Sequence, residues 1–201
     1  STGEPLFGVF TVPYKAQLPA PRPQPPAAAV SFATEAAPGF RLNWPVDSHR
    51  VNQKFGENPQ SYNGFGLSGH EGLDLFAPTG ANVYAAAAGT VYQCNQPKNH
   101  PYGLQVRIRH EVDGKTYHTI YAHLSETCVQ EGQTVAAGEL IGQADNTGNS
   151  FGSHLHLTLK IDGAQTPGYP PGIVDPWPFL QDSEPLPAAS GVVAYTTAQV
   201  N

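Results

Sequence analysis

Leu104-Gln105-Val106-Arg107-Ile108-Arg109 alternates apolar and polar side chains over Val106 to Arg109. A β-strand sends successive side chains to opposite faces, so a period of two marks a half-buried strand. Other short apolar-rich runs lie on either side: Asn82-Val83-Tyr84-Ala85, Gly89-Thr90-Val91-Tyr92, Thr116 to His123 and His154 to Ile161. Gly, Pro and Asn separate them, as turns between strands require. No segment beyond residue 40 has a helical period of adequate length. The run Ala85 to Ala88 ends at Gly89 and is too short to nucleate a helix. The pattern predicts an all-β domain.

This pattern starts near Phe40 and closes near Asp175-Pro176-Trp177-Pro178-Phe179-Leu180, which places a domain over residues 40–181. Before it, residues 1–39 read as a Pro-rich linker or pro-segment. Pro19, Pro21, Pro23, Pro25 and Pro26 alternate with small or polar residues, which favours an extended polyproline conformation. Leu6-Phe7-Gly8-Val9-Phe10 is apolar enough to dock as a short strand. Residues 182–201 return to small and polar side chains and read as a C-terminal linker.

Charged residues make up only 13% of the 201 positions, and the formal net charge is −6. With no Lys/Arg cluster, nucleic acid is not expected as a partner. No apolar run approaches the roughly 20 residues that span a bilayer as a helix. The chain contains no methionine and is expected to be a monomeric part of a longer protein. Cys94 and Cys128 allow one disulfide, which an oxidising compartment would favour, or two free thiols.

Chemistry concentrates in two motifs, His70-Glu71-Gly72-Leu73-Asp74 and His154-Leu155-His156. They offer three imidazoles and a carboxylate, a donor set that suits zinc. On a strand His154 and His156 share a face, and Leu155 points the other way. His70 and Asp74 would share a face on a helix, but Gly69, Gly72 and Pro78 argue for a loop entering a strand at Leu73-Asp74-Leu75. Asp74 then faces the site, and Leu73 and Leu75 face the core. Glu71 reads as a solvated loop residue. In Tyr117 to Leu124, strict alternation groups His123 with Tyr117, Thr119 and Tyr121, and sets His118 on the other side as structural or exposed. His123 is the candidate for the site. His49, His100 and His110 are not expected to take part.

In this order and with these loops, the chain resembles the lysostaphin-like (LytM-type) zinc endopeptidases that cut bacterial peptidoglycan. The resemblance runs from about Trp44 to Leu180. It rests on His70-Glu71-Gly72-Leu73-Asp74, Ala77-Pro78-Thr79-Gly80, Tyr121-Ala122-His123-Leu124-Ser125, Gly132 to Gly142, Asn146-Thr147-Gly148-Asn149-Ser150 and Gly152-Ser153-His154-Leu155-His156. It implies antiparallel sheets in a barrel-sandwich-like domain with a central groove over the metal. It implies zinc ligands at His70, Asp74 and His156, and catalytic roles for His123 and His154. Peptide crosslinks of peptidoglycan would then be hydrolysed by a zinc-activated water, outside the cell, at the cell wall or in the periplasm. Two positions depart from the family pattern: Leu157-Thr158 replaces Phe-Glu, and Glu57 replaces an Arg. Neither is expected to touch a ligand.

The groove walls are expected at 58–69, 95–103 and 143–153, with Tyr62, Phe65, Tyr102 and Phe151 facing a peptide. A catalytically silent cell-wall or partner-binding module of the same fold is the competing reading, separable by zinc content and turnover. The Glu131 to Glu139 segment also resembles the turn-rich part of biotinyl and lipoyl carriers. No lysine here has the exposed hairpin setting with adjacent methionine that those domains modify.

Overall fold

The computed structural model describes residues 39–180. The linker at 1–39 (Gly39 excepted), the docking strand at Leu6 to Phe10 and the linker at 182–201 lie outside the described residues. Ten strands carry the fold: β1 Val51–Gln53, β2 Leu73–Leu75, β3 Asn82–Tyr84, β4 Gly89–Gln93, β5 Leu104–Val112, β6 Lys115–Thr127, β7 Thr134–Val135, β8 Leu140–Ala144, β9 Leu155–Ile161 and β10 Ile173–Val174. Every pairing is antiparallel. The expected sheets join into a single open sheet in the order β1-β2-β9-β6-β5-β4-β7, with β10 on β9 and β3 reaching β6 through β8. Among the described residues, helix is limited to single turns, α1 Pro59–Tyr62 and α2 Trp177–Leu180, and a 3-10 turn at Asn63–Phe65.

Register explains why one face of the centre is polar. Asp74 on β2 pairs with His156 on β9, and His156 pairs with Ala122 on β6. Directly opposed residues share a face, so these three form one row. The next row is Leu73, Leu157 and Tyr121, which points the other way and is fully buried. Burying a side chain of this size contributes about 1.5–3 kcal/mol. Tyr121 also accepts the Ala86 N–H on its hydroxyl at 2.8 Å, and burial pushes its pKa up to about 12.

Strict alternation fails at His123. It groups His123 with Tyr121, yet Tyr121 lies in the core and the His123 ring stands 4.9 Å from that of His154. The backbone explains the difference. His123 has φ 63°, in the left-handed region that non-glycine residues seldom enter. The pairing of β5 with β6 slips between Leu104 and Val106, opposite this point. Here β6 also changes partner, from β9 at Ala122 to β8 at Leu124. One irregular residue therefore turns an imidazole from the core side to the site side, as bulges do.

Cys94 and Cys128 are both free thiols. Cys94 is buried, with its S–H directed at the Val129 carbonyl at 3.5 Å, and Cys128 is exposed. His118 pairs with Asp162 at 3.0 Å, and His49 stacks on Trp44 at the surface.

His110 is buried under Phe40. Its Nδ1–H donates to the Ala88 carbonyl, and its Nε2 accepts from the Thr119 hydroxyl, each at 2.8 Å. Burial holds its pKa below the ordinary 6.5. The unfolded chain then binds a proton that the folded chain refuses, so this contribution is complete above the ordinary value and shrinks as pH falls below it. In chelator-treated protein, the fall in thermal midpoint from about pH 7 to about pH 5 should be smaller for His110→Gln than for the wild type. Equal slopes would rule out His110 as a source of acid sensitivity.

Candidate metal centre

His70 stands in the loop that enters β2, and backbone contacts fix it on both sides. Its N–H donates to the Glu57 carbonyl at 3.0 Å, and its carbonyl accepts the Gly56 N–H at 2.8 Å. The ring donates Nδ1–H to the Lys54 carbonyl at 3.2 Å, which leaves the Nε2 lone pair facing inward. His156 is turned the other way round. Its Nε2 lies 2.9 Å from Thr158 Oγ1, and its Nδ1 faces inward. Between them, Asp74 Oδ1 is 3.1 Å from His70 Nε2 and 2.9 Å from His156 Nδ1, and those two nitrogens are 3.0 Å apart.

Three donor atoms on a triangle of such edges fit one small cation. Tetrahedral ligands about 2.0–2.1 Å from zinc are about 3.3–3.4 Å from one another, so the observed triangle needs only a slight expansion. The two nitrogens and one oxygen are also the donor types zinc takes. Among the described residues, His70, Asp74 and His156 are the group with this convergence.

His123 and His154 complete the cluster. His123 donates Nδ1–H to the Thr147 carbonyl at 2.6 Å, and His154 donates Nδ1–H to the Gly152 carbonyl at 2.7 Å. Both therefore present Nε2 to the space beside the triad. His154 Nε2 is 3.3 Å from Asp74 Oδ1. The Asn146-to-Ser153 loop that supplies both carbonyls packs on the 100–103 turn. Gly148, at φ 76°, lies so close that a Cβ would meet Gly103 N at 2.3 Å.

Charge and burial compete throughout. Burial raises the Asp74 carboxyl, but the imidazoles of His154, His156 and His70 set against its Oδ1, which donate to it when protonated, outweigh burial and hold the group far below the usual carboxylate range. His123 is pushed down to about 4 by burial and by the neighbouring imidazole of His156. Burial also lowers His156. In His154 burial is overcome by the Asp74 hydrogen bond and charge, and its pKa is raised.

The cluster lies in a groove of about 890 Å³. Its walls include Ser61, Tyr62, Phe65 and Leu67 on one side and Pro101, Tyr102 and Gly148 to Ser153 on another. Asn52 and Gln53 of β1 also line it. Phe65 and Phe151 are strongly exposed at the rims.

Two expectations are corrected. Glu71 is not a solvated loop residue: it lines the groove, half-buried, and accepts a hydrogen bond from the Tyr102 hydroxyl. Nor are the two departures from the family pattern remote from the cluster. Thr158 contacts His156 through its hydroxyl, and the Glu57 carbonyl holds the His70 amide. Both contacts follow from tertiary proximity that spacing does not encode.

Gly72 shows how tight the packing is. A Cβ there would meet Leu157 O at 2.5 Å and the His156 ring at 2.9 Å. Gly72→Ala should therefore displace His156, lower stability by about 1–3 kcal/mol and weaken metal binding. Thermal denaturation with and without zinc checks this, and an unchanged midpoint and affinity would contradict it.

Residues 68–167 match the family described as Peptidase family M23. The catalytic domain of the antimicrobial peptidase lysostaphin from Staphylococcus simulans superposes with a TM-score of 0.55 at 30% identity, over 66% of this chain and 92% of that one. A zinc-containing peptidase from Vibrio cholerae gives a TM-score of 0.50 at 32% identity, over 60% of this chain and 37% of that one. Among curated relatives, the peptidoglycan DD-endopeptidase ShyA of Vibrio cholerae is 38% identical over 122 residues, which is 60% of this chain and 27% of that protein. The chain thus spans about a quarter of the length of the first curated relatives it matches. The sheet and the cluster together define a lysostaphin-like β domain. The chain belongs to peptidase family M23.

Proposed function

We propose that this chain is the catalytic part of a zinc-dependent endopeptidase that hydrolyses peptide crosslinks of bacterial peptidoglycan. One observation carries the reading: three inward-facing donor atoms about 3 Å apart lie in an open groove beside two more imidazoles aimed at the same space. His70 Nε2, Asp74 Oδ1 and His156 Nδ1 would hold the zinc. A zinc held by three protein ligands supplies a Lewis acid and a coordinated water of pKa near 7.

The remaining work belongs to the chain. His123 and His154, each anchored through Nδ1 to a backbone carbonyl, exchange protons through Nε2 with the attacking water and the leaving amine. When protonated, either can also stabilise negative charge on the scissile carbonyl oxygen. Tyr62, Phe65, Tyr102 and Phe151 face the bound peptide. The names of ShyA and of the DD-carboxypeptidase/endopeptidase Mpg of Neisseria meningitidis favour the D-Ala crosslink to a diamino acid over a glycyl bridge. Such a substrate places the enzyme outside the cytoplasm, in the periplasm or at the cell wall. Among the described residues, no helix is long and apolar enough to cross a membrane.

Purified peptidoglycan of both crosslink types, digested with the zinc-loaded chain, tests this by mass spectrometry. New ends should appear at the D-Ala crosslink. Fragments cut only at glycyl bridges would move the specificity. No new ends from either type, at full zinc loading, would favour a silent binding module.

A further inference from the structure

The groove over the cluster carries its charge unevenly. Its lining includes two carboxylates, Glu71 and Asp74, four imidazoles and, among the described residues, no lysine or arginine. Basic side chains near these residues in sequence are engaged elsewhere. Lys54, whose carbonyl holds His70, sets its ammonium 5.6 Å over the Trp177 ring, and Arg50 lies 4.8 Å over Phe76. Arg107 donates from Nε to Gln105 Oε1 at 2.7 Å. The two carboxylates also differ. Asp74 has three imidazoles against its Oδ1. Glu71 accepts the Tyr102 hydroxyl on Oε1, and its other oxygen has no partner among the described residues. Tyr102 stacks on the His156 ring at 5.5 Å between centroids and 26° between planes. The stack and the hydroxyl together anchor the Glu71 carboxylate beside the metal triad.

We propose that Glu71 determines specificity: it makes the groove select crosslinks that carry no free carboxylate beside the scissile bond. The inference rests on the endopeptidase reading above and narrows its substrate class. A diamino acid meets the condition when the carbon next to its linked nitrogen bears a carboxamide, or only hydrogen, in place of a carboxylate. A stem that ends in free D-Ala-D-Ala does not meet it. The physical reason is repulsion without relief. A divalent cation at the triad is matched in formal charge by Asp74 and Glu71, so the groove offers a carboxylate no net attraction. His123 and His154 are tied through Nδ1 to backbone carbonyls and serve the reacting bond. An anion entering the groove therefore gives up water and gains no paired guanidinium or ammonium. Two unit charges about 10 Å apart, at the effective dielectric near a protein surface, shift an equilibrium about 15-fold. Such a like-charge contact is how a site rejects a wrong partner. A carboxamide or an ammonium escapes the repulsion, and its N–H groups can donate to the free Glu71 oxygen.

The test uses two synthetic crosslinked peptides that differ only in the group beside the scissile bond, free acid or carboxamide. They are given to the zinc-loaded wild type, Glu71→Gln and Glu71→Lys. At about 0.01 M salt, where charges act over about 30 Å, the wild type should show a kcat/KM about 10-fold higher for the carboxamide. At about 1 M salt, where that range shrinks to about 3 Å, the ratio should approach one. It should also approach one in Glu71→Gln, whose side chain still accepts from Tyr102, and should invert in Glu71→Lys. Dissociation constants of the same peptides with zinc-free protein, read by fluorescence anisotropy, should fall in the same order without any turnover. Equal cleavage and binding of the two peptides by the wild type at low salt would overturn the proposal. So would a preference that survives Glu71→Gln or high salt. Cleavage of neither peptide at full zinc loading would count against the endopeptidase reading, and the binding ratio would still decide the role of Glu71.

Discussion

His156→Ala is expected to bind zinc several-hundred-fold more weakly than the wild type and to lose activity at ordinary zinc concentrations. Structural zinc sites with four protein ligands bind with about 10–16 kcal/mol, roughly 2.5–4 kcal/mol per ligand, and each 1.4 kcal/mol is tenfold. Removing His156 subtracts one ligand of three and also breaks the outer support of the site. Asp74 loses the His156 nitrogen at 2.9 Å, and Thr158 and Tyr102 are left facing a cavity. Equilibrium dialysis with elemental analysis reads the affinity directly. His70→Ala should behave alike, since its Nε2 occupies an equivalent corner. A full zinc complement in His156→Ala at the wild-type affinity would mean that the metal is held elsewhere.

Much of the fold was legible because strands advertise themselves by period. Val106 to Arg109 and His154 to Ile161 read as strands, and the structure has β5 and β9 there. Two-residue strands such as β7 and β10 carry too little pattern to read. Sequence also placed Asp74 opposite Leu73 and Leu75, and the register agrees. His123 was chosen for the right place by an unsound rule. Alternation alone assigns it to the core side with Tyr121, and the left-handed turn that brings it back depends on β6 exchanging β9 for β8. No local signal announces such an exchange, because the partners lie more than ten positions away in sequence. Glu71 and Thr158 were underread for the same reason. Tyr102, which bonds Glu71 and stacks on the His156 ring, sits on the loop before β5 and far from both in sequence.

His154→Ala separates chemistry from metal binding, and it is the sharper of the two results. Its Nε2 is 3.3 Å from Asp74 Oδ1, too close to be idle, yet the ring belongs to the loop side, held by Gly152 and Ser150. The three donor atoms of the triad do not include it. The variant should keep zinc within a few-fold of the wild-type affinity and lose about 10²–10⁴-fold in turnover, the usual worth of a positioned acid or base. Its KM should change little, because the groove walls at Tyr62, Phe65 and Tyr102 remain in place. His123→Ala should show the same split between retained metal and lost turnover. The double variant should lose far less than the product of the two single losses, since residues that act on one proton path are not additive. If His154→Ala instead lost zinc in step with His156→Ala, His154 would be a fourth ligand, and the position beside the triad would not be open for substrate. If it kept full turnover, His123 alone would carry the proton transfers.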